Sequence, residues 1–590
     1  MRVIFICLYL VLIFSLKVHG QTFNDKYDLN FKQFDNCAWD WIKVQNRCNL
    51  NLLEDSNNSR FLSISVLGKI NQFNDTIAMK FLLTKHIVLP ATLQKEKNLS
   101  VSVHYKGDSK KSIKLSLIGI GDNENINFHY SNQSRVSGDW KKLTVYGSLK
   151  ESKAINIYIE YSGNRDTNQF VDLKNVQVKV GKQLLNDMKT VAEDNIIIQP
   201  ALNENNIIPL KIENDRIFWK QIPQLQDAKI IGLGEITHGS ETLRNLRLFF
   251  LKSLILDHNC KLILTEGDFQ VFMLFDLYIQ SLIPISSRDR IKEILDLGFG
   301  NNTFITFLDW LRTYNDKNIK KVHLVGIDNI ANFNNISIPL MDFHYNLLGE
   351  DKAKNYIKLL YSNQLDSVKI LANNDESLKI AMGEKYFKYY NYVLSEPRFK
   401  NWQDLSLSRD SNMFRRTLYL DSLFTTEDEK IAILAHSGHL QKIPLVNEVS
   451  EKVLGNFLNK TFKQKYYAIN FTAGSGTFIQ DSCDYFKNFC IDFIRNIPED
   501  SFEYQAASLH KKLFLYPMDK LCNNSIKTSL HIYRNSLGKD LFKFTNLPKR
   551  YDSIIFVDSS IAIPLGFYQQ LDADSHYFKK RTMYYNLIKK

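Results

Sequence analysis

Four apolar runs between residues 229 and 435 each stop on residues that could move a proton or hold a charge. Glu235 and His238 follow the run Lys229 to Gly234, inside Gly-Glu-Ile-Thr-His-Gly. Glu266 follows Lys261 to Thr265, and Asp328 follows Lys321 to Ile327. His436 and His439 follow Lys430 to Ala435, inside Ala-His-Ser-Gly-His. A carboxylate three residues before an imidazole, at the tip of a buried run, is poorly explained by packing. It is well explained by acid–base chemistry, because histidine changes charge near neutral pH and a neighbouring acid can orient it.

Those positions make sense only if the runs are strands of one sheet. Each is short, apolar and ends in Gly, Thr, Ile or Ala, the pattern of a strand buried on both faces. Ser240 is placed to cap a helix running to about His258. Helices Val271 to Leu282 and Phe304 to Tyr314 follow, then a mainly helical insertion over residues 343–425, and last strands at Lys465 to Asn470 and Ser553 to Val557. Such alternation predicts an α/β fold with a mostly parallel sheet and helices on both faces. In such sheets the ligand crevice lies outside the carboxyl ends of the strands, where Glu235, His238, Glu266, Asp328, His436 and His439 would meet.

The first twenty residues combine Arg2, an apolar run from Val3 to Leu16 and small or aliphatic residues at Val18 and Gly20. They read as a secretory signal peptide, since the run is short for a membrane span. Secretion or periplasmic export is therefore expected, with no membrane insertion after cleavage. Removing Arg2 and Lys17 from the 75 basic residues leaves 73 against 63 acidic ones, a net charge of +10 spread along the chain. Export and the even spread argue against a nucleic-acid partner. Of the six cysteines outside the signal, Cys37 with Cys48 and one pair among Cys483, Cys490 and Cys522 suit an oxidising compartment, while Cys260 reads as an inert core thiol.

Residues 21–182 read as a β-sandwich accessory domain, from alternating strands such as Leu62 to Leu67, Ile77 to Leu83, Leu99 to Tyr105, Ile113 to Ile118, Lys141 to Gly147, Ala154 to Tyr161 and Val171 to Val180. Their order resembles jelly-roll carbohydrate-binding modules, which implies a glycan partner for Trp39, Trp41 or Trp140; a packed sandwich tryptophan is the competing reading. An Asn-rich linker over 183–208 leads to the α/β domain, 209–590.

Over about residues 209–560 the chain resembles the erythromycin esterase family. The resemblance is carried by Gly234-Glu235-Ile236-Thr237-His238-Gly239, Thr265-Glu266-Gly267 and Ala435-His436-Ser437-Gly438-His439, together with Trp310 to Asn315, Arg409-Asp410-Ser411-Asn412-Met413 and Tyr467 to Phe471. Two departures stand out. Ser437 replaces the family's usual Asn, and Ser240 to Arg247 lacks its usual aromatic pair, which implies a different substrate wall. The resemblance implies hydrolysis of a small-molecule carboxylic ester or lactone without a cofactor. It casts His238 as the base that activates water, Glu235 or Glu266 as its orienting acid, and His436, His439 and Arg247 as oxyanion or leaving-group partners. Asp328 and Arg409 fall to substrate binding. No Gly-x-Ser-x-Gly elbow occurs, so a serine nucleophile lacks its usual framework.

Two other readings use the same residues. Glu, His and His are competent ligands for a divalent metal such as zinc, which would make a metal-dependent hydrolase or peptidase. Alternatively the chain is a non-catalytic secreted glycan-binding protein, with the second domain a bare scaffold.

Overall fold

A computed structural model of the chain describes Leu29 and residues 42–43, 48–55, 60–66, 80–89, 92–107, 112–120, 126–152, 154–162, 169–185, 202–219, 222–289, 291–292, 302–328, 338–395, 402–443, 453–481, 489–494, 502–521, 530–533, 541–544, 547–563 and 573–589. The expected signal peptide, Trp39, Trp41, Cys37, Cys483 and Cys522 lie outside the described residues, and so do the expected disulfides. Two compact units form, Met1–Ile197 and Ile198–Lys590. Among the described residues no helix is long and apolar enough to cross a membrane.

The first unit is an antiparallel sandwich. One sheet orders the strands Ile42–Lys43, Lys80–Val88, Ala154–Ser162, Ser112–Ile120 and Ile126–Arg135; the other orders Cys48–Glu54, Arg60–Val66, Gln169–Val180, Asn98–Gly107 and Lys141–Ser148. Alternate residues of both sheets, among them Leu62, Val101, Leu115, Ile157 and Val171, form one closed core. Two strands that the sequence pattern does not single out, Cys48–Glu54 and Ile126–Arg135, lie at sheet edges. Trp140 packs edge-on to Phe61 with ring centroids 6.0 Å apart, and the ammonium groups of Lys174 and Lys106 stand 4.3 and 5.1 Å from its ring. Its π surface is thus engaged within the domain.

The second unit is built on an eight-stranded sheet. Elements are numbered here within this unit. The strands are β1 (Ile208–Pro209), β2 (Ile230–Glu235), β3 (Cys260–Asp268), β4 (His323–Asp328), β5 (Lys430–His436), β6 (Tyr466–Ala473), β7 (Leu513–Pro517) and β8 (Ser553–Val557). Their order is β1-β7-β8-β6-β2-β5-β3-β4. The six from β8 to β4 run parallel, while β7 is antiparallel to β8 and β1 to β7. Every residue of β2 and β6 is buried, as expected of strands covered on both faces.

Besides three short helices, Pro223–Asp227, Phe502–Ser508 and Leu547–Arg550, the described helices are α1 (Glu241–Asp257), α2 (Phe269–Ile279), α3 (Asn302–Lys317), α4 (Ile338–Leu348), α5 (Glu350–Tyr361), α6 (Leu365–Asn374), α7 (Glu376–Ser395, broken at Gly383), α8 (Trp402–Phe424), α9 (Ser437–Leu440), α10 (Leu454–Phe462) and α11 (Ala573–Lys589). Helices α4 to α8 form the insertion between β4 and β5. Helix α1 begins where expected, because Ser240 Oγ accepts a hydrogen bond from Leu243 N at 3.1 Å. It packs against β2, β3 and β6, whereas α9 lies on the opposite face of β2, the face of Gly232 and Gly234. Chain order reverses at β2: β3 lies on one side of it, β6 on the other, and β5 fills the gap beside it. The carboxyl ends of β2 and β5 are therefore the place where an α/β sheet opens a crevice.

Candidate active site

Two glycines shape the turn after β2. A Cβ at Gly234 would come within 2.9 Å of Ser437 Cα, so the glycine lets α9 approach the strand. A Cβ at Gly239 would sit 2.0 Å from the Ile479 carbonyl, and Gly239 O accepts from Ile479 N and Ile563 N at 3.0 and 3.1 Å. The turn is held against backbone, and its side chains Glu235 and His238 are presented at the strand tip.

Parallel register places Glu235 beside His436 across β2 and β5. His238 Nδ1 lies 2.8 Å from Glu235 Oε1, and the other oxygen of Glu235 is ion-paired with Arg247 of α1. Burial would raise the Glu235 carboxyl, but the charge of Arg247 and the bond from His238 overcome it and hold it below the usual range. An ionised acid on Nδ1 makes that nitrogen the donor. The basic lone pair is then on Nε2 of a ring that is 34% exposed.

Arg247 Nη1 also lies 3.4 Å from the carbonyls of Leu233 and Ala435, tying together the ends of β2 and β5. It is buried and committed to Glu235, so the geometry makes it a clamp on the acid and not the oxyanion donor expected from the sequence. His436 departs from expectation in the same way. Its Nε2 points at the Ile236 carbonyl (3.2 Å), which can only accept, and its Nδ1 accepts from Gly438 N (3.2 Å), capping α9. With both ring nitrogens engaged and the residue buried, His436 holds the two turns together and cannot serve as the leaving-group acid. Its ring centroid is 5.3 Å from that of His238.

The second acid is held from three directions. Glu266 Oε2 accepts from His436 N at 2.7 Å, and Oε1 faces Arg409 Nη2 at 2.8 Å and His439 Nε2 at 3.2 Å. Arg409, on α8, also reaches Asp328 at the end of β4, its Nε lying 3.0 and 3.2 Å from the two carboxylate oxygens. His439 Nδ1 faces Asp410 at 2.9 Å, and Asp410 also accepts from Leu454 N at 2.7 Å. Burial disfavours charge on His439, yet Glu266 and Asp410 outweigh it and hold the ring protonated well above its ordinary range. Burial likewise opposes the charge on Glu266, and His439 and Arg409 hold it well below the usual carboxylate range.

All eight residues singled out in the sequence are thus joined into one cluster, by Glu235 with His238 and Arg247, and by Glu266 with His436, His439, Arg409 and Asp328. Two further members emerge. Asp410, adjacent to Arg409 in a stretch already notable for its resemblance, is the counter-ion of His439. Arg244 donates to the His238 carbonyl at 3.0 Å, and its spacing of three residues from Arg247 places both on one face of α1. Among the described residues no group of three His, Cys, Asp or Glu side chains is arranged to hold a metal ion. Arginine stands where a cation would: Arg247 on Glu235, and Arg409 on Glu266 and Asp328.

These couplings fix the pH dependence of stability. The depressed values of Glu235 and Glu266 stabilise the fold fully above the ordinary glutamate value of 4.5, and that contribution is lost as pH falls through the native values. The raised value of His439 stabilises fully below 6.5 and is lost as pH rises through its native value. Thermal unfolding followed against pH should show greatest stability between these limits, with an alkaline decline that His439→Gln removes. A midpoint that climbs steadily from neutral to alkaline pH would contradict the pairing of His439 with two acids.

The erythromycin esterase family model matches residues 346–560, which include Arg409, Asp410, His436 and His439 and exclude Glu235, His238 and Glu266. No curated protein matches the chain. Among solved structures, a succinoglycan biosynthesis protein shares 18% identity, over 61% of this chain and 95% of its own, with a TM-score of 0.44. A mutant erythromycin esterase in its open conformation shares 20%, over 57% and 92%, at 0.38. A carbohydrate-binding module in complex with β-1,4-galactotriose shares 13%, over 27% and 98%, at 0.20. The second unit of this chain resembles the erythromycin esterase family, and residues 346–560 carry that family's sequence pattern.

Proposed function

We propose that the second unit hydrolyses a carboxylic ester or lactone by water activated on His238. One observation carries the reading. His238 is oriented by a buried, ionised Glu235 through Nδ1, which leaves Nε2 as a base on the exposed edge of a cluster whose other imidazoles are engaged on both nitrogens. Water bound at Nε2 loses a proton to the ring as its oxygen bonds to the acyl carbon. An oxyanion forms on the acyl oxygen; His439 and Arg409, already paired with Glu266, Asp328 and Asp410, act on it only through the field of the cluster and donate no hydrogen bond to it. Collapse breaks the acyl carbon–oxygen bond, and the proton on Nε2 passes to the departing alkoxide. Water and ester are consumed; acid and alcohol are produced.

The acids of the site already have their counter-charges in Arg247, Arg409 and His439, which supports a reaction without a divalent ion. The test is a panel of lactones and acyl esters, followed by acid release, before and after exhaustive chelation. Turnover of at least one class at unchanged rate after chelation is expected. Activity that tracks stoichiometric metal would overturn this reading and favour the metal-dependent one. Export through residues 1–20 and glycan contact by the first unit belong to the same proposal. Processing at about Gln21 and a glycan array with the full chain check them.

A further inference from the structure

The carboxyl ends of the strands hold the polar cluster; the amino ends hold a second feature that it does not use. A cavity of about 420 Å³ opens where β4 begins, between the last turn of α8 and the middle of α7, within the size range of small-molecule sites. Its wall is aromatic. The ring of His323 lies 4.2 Å from that of Phe424 and 5.9 Å from that of Tyr386, and the Tyr386 and Phe424 rings are 5.7 Å apart. Tyr386 is 5% exposed, yet its hydroxyl has no hydrogen-bond partner among the described residues. A buried hydroxyl is ordinarily paired, so this one marks a place for an oxygen atom that the described residues do not supply.

The rim is cationic. Lys320, Lys321 and Lys385 line the cavity with a single carboxylate, Glu429. Lys320 pairs with Glu429 at 3.4 Å and Lys321 reaches the Gln280 carbonyl at 3.4 Å, which leaves Lys385 without an ion pair among the described residues. An aromatic wall, an unpaired buried hydroxyl and an excess of ammonium groups select one ligand chemistry. We infer that the cavity at the amino ends of the strands binds a small organic anion, a flat apolar body bearing one carboxylate or phosphate group. The ring packs on Phe424 and His323, the anion accepts from Tyr386 Oη, and Lys385 supplies the opposing charge. This site is separate from the catalytic proposal, because its residues stand at the opposite ends of β4 and β5 from Asp328 and His436.

Calorimetric titration of the full chain with phenyl phosphate and with benzoate tests the site. Inorganic phosphate and benzyl alcohol serve as the ring-free and charge-free comparisons. At least one aromatic anion should bind saturably, and His238→Ala should leave that binding intact. Tyr386→Phe keeps the ring and removes only the hydroxyl, so affinity should fall about tenfold with no loss of thermal stability. Lys385→Ala, on an exposed side chain, should weaken binding severalfold and reduce its salt dependence. The inference is overturned by absence of saturable binding to either anion, or by benzyl alcohol or inorganic phosphate binding as tightly as phenyl phosphate. Affinity that both substitutions leave unchanged also overturns it.

Discussion

His238→Ala should lower kcat/KM for an ester substrate by about 10²–10⁴-fold, the usual contribution of a positioned base, while the protein stays folded. The second half of that expectation makes the first informative. The His238 side chain is 34% exposed and, among the described residues, makes one side-chain hydrogen bond, to Glu235. Glu235 keeps its ion pair with Arg247 when the ring is gone, so its buried charge is not stranded. A substitution of this kind costs little stability. His238→Gln is the matched control, since it retains a polar group without a titrating nitrogen and should be nearly as inactive. Near wild-type turnover in either variant, with substrate binding intact, removes the base assignment. Glu235→Gln is a poorer probe, because it leaves Arg247 buried without its anion and confounds rate with folding.

Arg409→Ala should destabilise the second unit by about 3 kcal/mol, the lower part of the range for breaking a buried ion pair, because the side chain is 20% exposed. The guanidinium serves two acids, Glu266 and Asp328, one on each of the two edge-side strands β3 and β4. Its removal leaves both carboxylates desolvated and short of positive charge, and His439 still compensates Glu266 alone. The sign of the pH response follows. Without the arginine the Glu266 carboxyl takes a native value nearer to its unfolded one, so the deficit is largest at neutral pH and narrows as pH falls and the acid protonates. Arg409→Lys restores the charge but not the fork that spans both acids, and should recover only part of the loss. Denaturant unfolding at neutral and at acidic pH checks this. A deficit below about 1 kcal/mol at neutral pH would show that the pairing behaves as a surface one.

The parts of this architecture visible in the amino-acid pattern share one physical property. Strands β2, β3, β4, β5, β6 and β8 are apolar on both faces, and each one stands out in the sequence for that reason. Strand β7 and helix α11 do not stand out. The first is a short run carrying Tyr516 and Pro517, antiparallel to its neighbour. The second is polar for most of its length and is fixed through Lys580 and Tyr584, which both reach the buried carboxylate of Asp342. A contact with a residue so far away leaves no local periodicity to read.

The same division runs through the site. Which residue types end the strands follows from the sequence alone: Glu235, Glu266, Asp328, His436 and His439 each come directly after or close behind an apolar run, and strand direction sends them to one edge. Which acid faces which base does not follow. Arg409 lies 81 residues from Asp328 and 143 from Glu266, and their meeting depends on how α8 is rotated against the sheet. Likewise His436, equal to His238 by residue type, is excluded as a base because its ring closes the gap between two turns. Strand ends are set by local burial, but the partners of a buried charge are set by packing between distant segments, and only the folded chain decides them.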